Sequence, residues 1–236
     1  MKTAETNIKE TPIRIVFLGD SITASTRNVE DPSDLGGGYP KYAIEKLTEK
    51  FPQLRFECFN RGIWGDETKD VIVRLQADAI GLKPDVLVLF VGVNDTLRHA
   101  EAGDLTKAQF EMQYGRILSE LKEKTCAKIL VVEPYLLMED VYDRALKRFD
   151  LVERIDCIRR LSHGVVDGYM PLDGMFASLY VTEDVFSYMA DGLHPNEKGA
   201  RFIGERCAEY LFPIVESLLG REIYERKMDL AERANR

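Results

Sequence analysis

Short apolar runs rich in β-branched residues alternate along this chain with longer segments whose apolar positions recur three and four apart. Residues 13–18 (Ile-Arg-Ile-Val-Phe-Leu) predict a first strand that ends in Gly19-Asp20-Ser21. Residues 39–51 read as a helix, with Tyr42, Ile44 and Leu47 among its apolar positions. Residues 54–59 alternate like a second strand, and a helix starting near Glu67 places Val71, Leu75 and Ala79 on one face. After Lys83-Pro84, residues 86–91 are apolar on both faces, as in a central parallel strand. Helices over 110–122 and 141–161, a strand over 128–132 and a short fifth strand over 164–167 continue the pattern. A last large helix over 195–219 carries Pro213, which is expected to kink or split it. Alternation of this kind predicts an α/β protein: a five-stranded parallel sheet with helices on both faces.

No repeat, low-complexity stretch or linker divides the 236 residues, so a single domain is expected, with its core over about 12–219. A domain of that length buries roughly 70–75% of its unfolded surface and needs no disulfide or metal to fold. Residues 220–236 form a strongly charged extension. Its few apolar side chains, Ile223, Tyr224 and Leu230, could dock on a second copy, so a homo-oligomer is compatible with the sequence.

The net charge of −8 argues against nucleic-acid and anionic-membrane partners, both of which attract basic surfaces. Residues 1–12 are polar and lack an apolar signal region, and the apolar run 86–93 is too short to cross a bilayer. Cys58, Cys126, Cys157 and Cys207 are widely spaced and flanked by apolar residues, which predicts buried, reduced thiols and a cytoplasmic setting. Clustered metal ligands and a phosphate-binding loop are both missing, so no metal and no cofactor are expected.

Ligands of doubly wound sheets bind at the carboxyl ends of the strands. The first such end presents Ser21, yet the motif is not G-x-S-x-G, because position 23 is threonine. Ser21 alone could equally belong to a helix-capping turn. A serine nucleophile needs a base, and the chain has three histidines. His99 lies in a polar stretch and is expected to be solvated, whereas His163 reads as the end of a helix. His194 follows Asp191 by three residues, precedes Pro195 and is therefore expected on a loop. Gly192 would let that loop turn so that Asp191 reaches the imidazole and fixes its tautomer; a plain surface turn is the alternative. Gly65 and Asn94 lie at two further strand ends and, with the backbone N–H of Ser21, could donate to an oxyanion. Singly, each also fits a turn or cap.

Gly19-Asp20-Ser21, Gly65 within Asn60-Arg-Gly-Ile-Trp-Gly-Asp66, Gly92-Val-Asn94-Asp95 and Asp191-x-x-His194 occur in that order. Together they resemble the four blocks of the GDSL, or SGNH, hydrolase family. The resemblance implies a flavodoxin-like three-layer α/β/α fold and ester hydrolysis through an acyl-serine. By position it makes Ser21 the nucleophile, His194 the base oriented by Asp191, and Ser21, Gly65 and Asn94 the oxyanion hole. Trp64 departs from the pattern, since many members carry a small residue there; with Asp20 it is a candidate substrate contact. An indole at that position could stack on a sugar, cap a small acyl pocket or simply pack in the interior. Gly36-Gly-Gly-Tyr39, Lys83-Pro-Asp85 and Glu133-Pro-Tyr135 are similar to bacterial carbohydrate-esterase branches. The expected activity is hydrolysis of a short-chain, chiefly acetyl, ester of a sugar or oligosaccharide. A thioesterase or lysophospholipase, a non-catalytic sugar-binding module and a flavodoxin-like nucleotide binder are the rivals.

Overall fold

A computed structural model describes residues 11–100, 104–137 and 141–234, and side chains over 11–100, 106–137 and 145–220. Five strands form one parallel sheet: β1 (Ile13–Gly19), β2 (Phe56–Gly62), β3 (Val86–Phe90), β4 (Lys128–Val132) and β5 (Gly168–Met170). Their order across the sheet is β2-β1-β3-β4-β5, the flavodoxin-like arrangement the sequence implied. The helices are α1 (Ser21–Ala24), α2 (Tyr39–Lys50), α3 (Thr68–Asp78), α4 (Val93–His99), α5 (Asp104–Lys124), α6 (Val141–Ser162), α7 (Leu172–Leu179) and α8 (Glu197–Ala234).

The two-residue period of a strand sends alternate side chains to opposite faces, and this divides the core. Ile15, Phe17, Val88, Phe90 and Val132 face one layer, where α2 and α8 bury Ala43, Leu47, Ile203 and Leu211. Val16, Leu18, Leu87, Leu89 and Val131 face the other, against Val71 and Leu75 of α3 and Phe110, Tyr114 and Ile117 of α5. Every residue of β3 is buried, which explains its unbroken apolar run.

Several boundaries differ from expectation. β2 runs three residues further, to Gly62. The fifth strand lies at Gly168–Met170 rather than 164–167, because Gly164 (φ +72°) ends α6 in a turn. Val165 and Val166 both donate to the Ser162 carbonyl there, and Asp167 uses its carboxylate to accept from Ile129 N–H at 2.9 Å. The last helix starts at Glu197 and continues through Pro213 to Ala234, so the expected break is not made. Helices α4 and α7 were not anticipated. Of the four thiols, Cys157 and Cys207 are buried as expected, but Cys58 is half-buried and Cys126 exposed.

The chain leaves β1 toward β2 on one side of the sheet and leaves β3 toward β4 on the other. This reversal opens a crevice beyond the carboxyl ends of β1 and β3.

Candidate active site

Ser21 enters this crevice at the first residue of α1, directly after β1. Asp20 caps that turn, accepting from the Ile22 N–H at 3.0 Å. The Asp20 carboxyl is fully buried, so it is not the substrate contact that its place beside Ser21 suggested. Its second oxygen has no hydrogen-bond partner among the described residues. Burial, with smaller contributions from Asp95 and Asp66, pushes this carboxyl up to about 7.

Ser21 Oγ lies 2.9 Å from His194 Nε2, bridging 173 residues of sequence. His194 Nδ1 lies 2.7 Å from Asp191 Oδ2, and the other Asp191 oxygen accepts from the Leu193 and His194 backbone N–H groups at 3.0 and 2.7 Å. Partial burial opposes the Asp191 charge, but these bonds outweigh it and hold the carboxyl below its ordinary range. Gly192 allows the loop because its φ is +82° and a Cβ there would stand 2.4 Å from the Leu137 carbonyl oxygen. Two bonds fasten the loop to the chain beyond β4: Leu137 N–H to Gly192 O at 3.1 Å, and Tyr135 hydroxyl to Leu193 O at 2.8 Å.

The second and third strand ends are joined by several hydrogen bonds, among them Thr68 N–H to the Asp95 carboxylate at 3.1 Å. Asn94, in the first turn of α4, donates its side-chain amide to the Asp66 carbonyl at 3.0 Å, next to Gly65. Gly65 has φ +79°, and a Cβ on it would come within 3.0 Å of the Arg98 guanidinium. The 63–67 loop is held from below by Arg74 of α3. That guanidinium donates to Asp66 Oδ2 at 2.6 Å and to the carbonyls of Arg61 and Gly19 at 2.8 Å each, binding the ends of β1 and β2 together.

Glu67 caps α3 and is almost wholly buried, receiving Lys69, Arg98 and His99 at 2.8, 2.6 and 2.6 Å. Those partners outweigh the desolvation of Glu67 and keep its carboxyl below the ordinary range. His99, expected to be solvated, therefore helps fasten α4 to the Gly65 loop. His163 stands exposed just past the end of α6, as expected. Arg74, Glu67 and Arg98 left no readable signal in the sequence, apart from the four-residue spacing that puts Asn94 and Arg98 on one face of α4.

Trp64 is not an interior packing residue: 63% of its surface is exposed. Ser21, Ser25, Thr26, Gly38, Trp64 and His194 line a cavity of about 160 Å³. Among the described residues no cluster of three or more metal-ligating side chains exists, and no helix is long and apolar enough to cross a membrane. The geometry provides a hydroxyl bonded to an imidazole whose far nitrogen is held by a carboxylate. Such a set can deprotonate the hydroxyl as it attacks an electrophilic carbon.

The sequence profile of the GDSL-like lipase/acylhydrolase family matches residues 17–202. An acetylxylan esterase of Geobacillus stearothermophilus is 24% identical over 194 residues, covering 79% of this chain and 88% of that protein. A crystal structure of an acetylxylan esterase from the same organism superposes with a TM-score of 0.72 at 22% identity, covering 85% of this chain and 93% of the other. An α/β hydrolase enzyme from the metagenome of Lake Arreo, Spain, superposes with a TM-score of 0.71 at 24% identity, covering 84% and 94%.

Proposed function

The chain belongs to the GDSL-like lipase/acylhydrolase family and is a carboxylic ester hydrolase; from that premise we propose that it removes short acyl groups, chiefly acetyl, from a sugar or oligosaccharide through an acyl-serine. The observation that carries this reading is the Ser21–His194–Asp191 chain of hydrogen bonds at the wall of a small cavity.

His194 Nε2 takes the Ser21 proton as Oγ attacks the ester carbon, and Asp191 stabilises the imidazolium that results. The carbonyl oxygen becomes an oxyanion against the N–H groups of Ser21 and Gly65 and the Asn94 amide. As the tetrahedral adduct collapses, the carbon–alkoxy bond breaks and His194 returns its proton to the leaving alcohol. Water then repeats the cycle on the acyl-serine, with His194 accepting its proton, and acetic acid is released. No step requires a metal or an organic cofactor.

The volume of the cavity limits the size of the acyl group. A space of about 160 Å³ is well below the roughly 300–1,000 Å³ of pockets that enclose larger ligands, and suits one small group. An apolar groove of about 310 Å³, bordered by Leu137, Phe176, Tyr180 and Phe186, shares no lining residue with that cavity, which weakens the long-acyl reading. The acetylxylan esterase likeness favours a carbohydrate leaving group. The four free cysteines support a cytoplasmic setting.

The test is acetate release from acetylated xylo-oligosaccharides, with a p-nitrophenyl ester series run alongside. Activity that falls beyond the four-carbon acyl group and vanishes in Ser21→Ala is the expected result. Activity rising to long chains overturns the short-acyl reading, and retained turnover in Ser21→Ala overturns the acyl-serine.

A further inference from the structure

Trp64 is a large apolar side chain left mostly in water, so burial does not explain its place. Two contacts do. Its Nε1–H donates to the Ser25 carbonyl at 3.1 Å, and Ser25 closes the helical turn that Ser21 opens, in left-handed backbone at φ +45°. Its ring lies over the His194 imidazole with centroids 5.1 Å apart and planes 27° from parallel. One side chain thus links the turn of the nucleophile to the ring of the base, from the position just before Gly65.

We propose that Trp64 is a positioning residue for the ester hydrolysis described above, holding the His194 ring in its working plane and stabilising its imidazolium form through the indole face. The inference rests on the roles given there to Ser21 and His194. Its geometric part follows from what the other two contacts leave free. Bonds at Nδ1 to Asp191 and at Nε2 to Ser21 fix two points of the imidazole, and both lie in the ring plane. Neither acts along the normal to the ring, so out-of-plane excursions of the side chain about its Cβ bonds are opposed by the flat surface lying against one face.

The electrostatic part follows from the charge that develops. When Nε2 accepts the Ser21 proton, the ring becomes a cation lying on the electron-rich face of an indole, a contact that favours the cation. At an exposed site such contacts change an equilibrium about two- to fivefold. The ionisable groups on the surrounding elements are Asp191 on the loop of His194 itself, the buried Asp20 before Ser21, and the Asp66–Arg74 and Glu67–Arg98 pairs beyond Trp64. Lys198, at the start of α8, is engaged by Ser187 and Glu183. All of them remain when Trp64 is replaced, so a change can be assigned to the indole.

Trp64→Ala and Trp64→Phe are compared with the unaltered enzyme and with Ser21→Ala, measuring kcat and KM against pH on p-nitrophenyl acetate and on an acetylated xylo-oligosaccharide. For Trp64→Ala, kcat is expected to fall about two- to fivefold on both substrates. The acid limb of kcat/KM is expected to move about 0.3–0.7 pH units lower, because the cation has lost its support. Phenylalanine keeps an aromatic face but not the bond to Ser25, and is expected to recover part of both losses. A change confined to KM for the sugar would make Trp64 a substrate platform and overturn the proposal. So would a lowered plateau with an unmoved acid limb, or no change at all. Turnover that persists in Ser21→Ala would instead remove the underlying reaction, whatever Trp64 does.

Discussion

Replacing Asn94 by alanine separates the two duties of its side chain. The amide nitrogen donates one hydrogen to the Asp66 carbonyl at 3.0 Å, and its second N–H is the one available to an oxyanion. Asn94 is 7% exposed, so a carbonyl deprived of this donor stands in a mostly dry environment. Loss of the structural bond should cost about 1–3 kcal/mol of stability. Loss of an oxyanion donor should cost about 2.7–4 kcal/mol of transition-state stabilisation, a fall of about 10²–10³ in kcat. The measurements are a denaturant titration and steady-state kinetics on p-nitrophenyl acetate, with KM expected to change little because the donor acts on charge that develops after binding. Rapid labelling of the Ser21 hydroxyl by a fluorophosphonate would show that the nucleophile remains in place. A kcat within threefold of the unaltered enzyme, in a protein that has lost the predicted stability, would take Asn94 out of the oxyanion hole and leave it as a loop fastener.

Other substitutions test the supports. Gly192→Ala places a Cβ 2.4 Å from the Leu137 oxygen at φ +82°, and should lower both stability and kcat by displacing Asp191 and His194 together; a fully active variant would show that the loop adapts. Arg74→Met strips Asp66 of its partner and should cost about 3–5 kcal/mol in a denaturant titration, whereas a loss under 1 kcal/mol would contradict the stapling of β1 to β2. Asp20, raised from 3.8 to about 7, binds its proton more tightly when folded, so the unfolded state is the more ionised between those values and stability falls as pH rises through them. At 1.36 kcal/mol per pH unit the fall approaches roughly 4 kcal/mol. Asp20→Asn, which keeps the cap to Ile22, should flatten unfolding midpoints between pH 4 and 8; an unaltered slope would assign the effect elsewhere.

What could be read from the chain follows from the range of the interactions. The sheet was legible because β3 is apolar on both faces and because turns interrupt each strand. The fifth strand was misplaced because Val165 and Val166 look like strand residues, whereas the turn after Gly164 spends them and pairing begins at Gly168. Ser21, Asp191 and His194 could be found as short blocks whose residue types fit one reaction. Asp20 was misread for the same reason, since its neighbour is the proposed nucleophile and nothing local tells a buried cap from an exposed contact. The Glu67 cluster draws Arg98 and His99 from 31 and 32 residues away, and Arg74 reaches 55 residues back to Gly19, distances over which no spacing rule operates.

These long-range fasteners also explain how groups from separate strand ends can share one geometry. Ser21, Gly65 and Asn94 stand at the ends of β1, β2 and β3, and Arg74, Glu67 and the Asn94–Asp66 bond tie those ends to one another. Their mutual placement is therefore set by the sheet and by these cross-links. Asp191 and His194 have no strand beneath them; they depend on a glycine turn, on bonds to Leu137 and Tyr135, and on the bridge between Met189 and Pro195. Local opening free energies follow such support. Amide exchange should accordingly be faster at Leu193 and His194 than at Phe17, Leu18 or Val88, and occupation of the site by a covalent inhibitor on Ser21 should slow it. Equal protection in the two regions before inhibition would show that the base is held as rigidly as the nucleophile, and the reason for an indole lying against it would have to be sought in substrate binding.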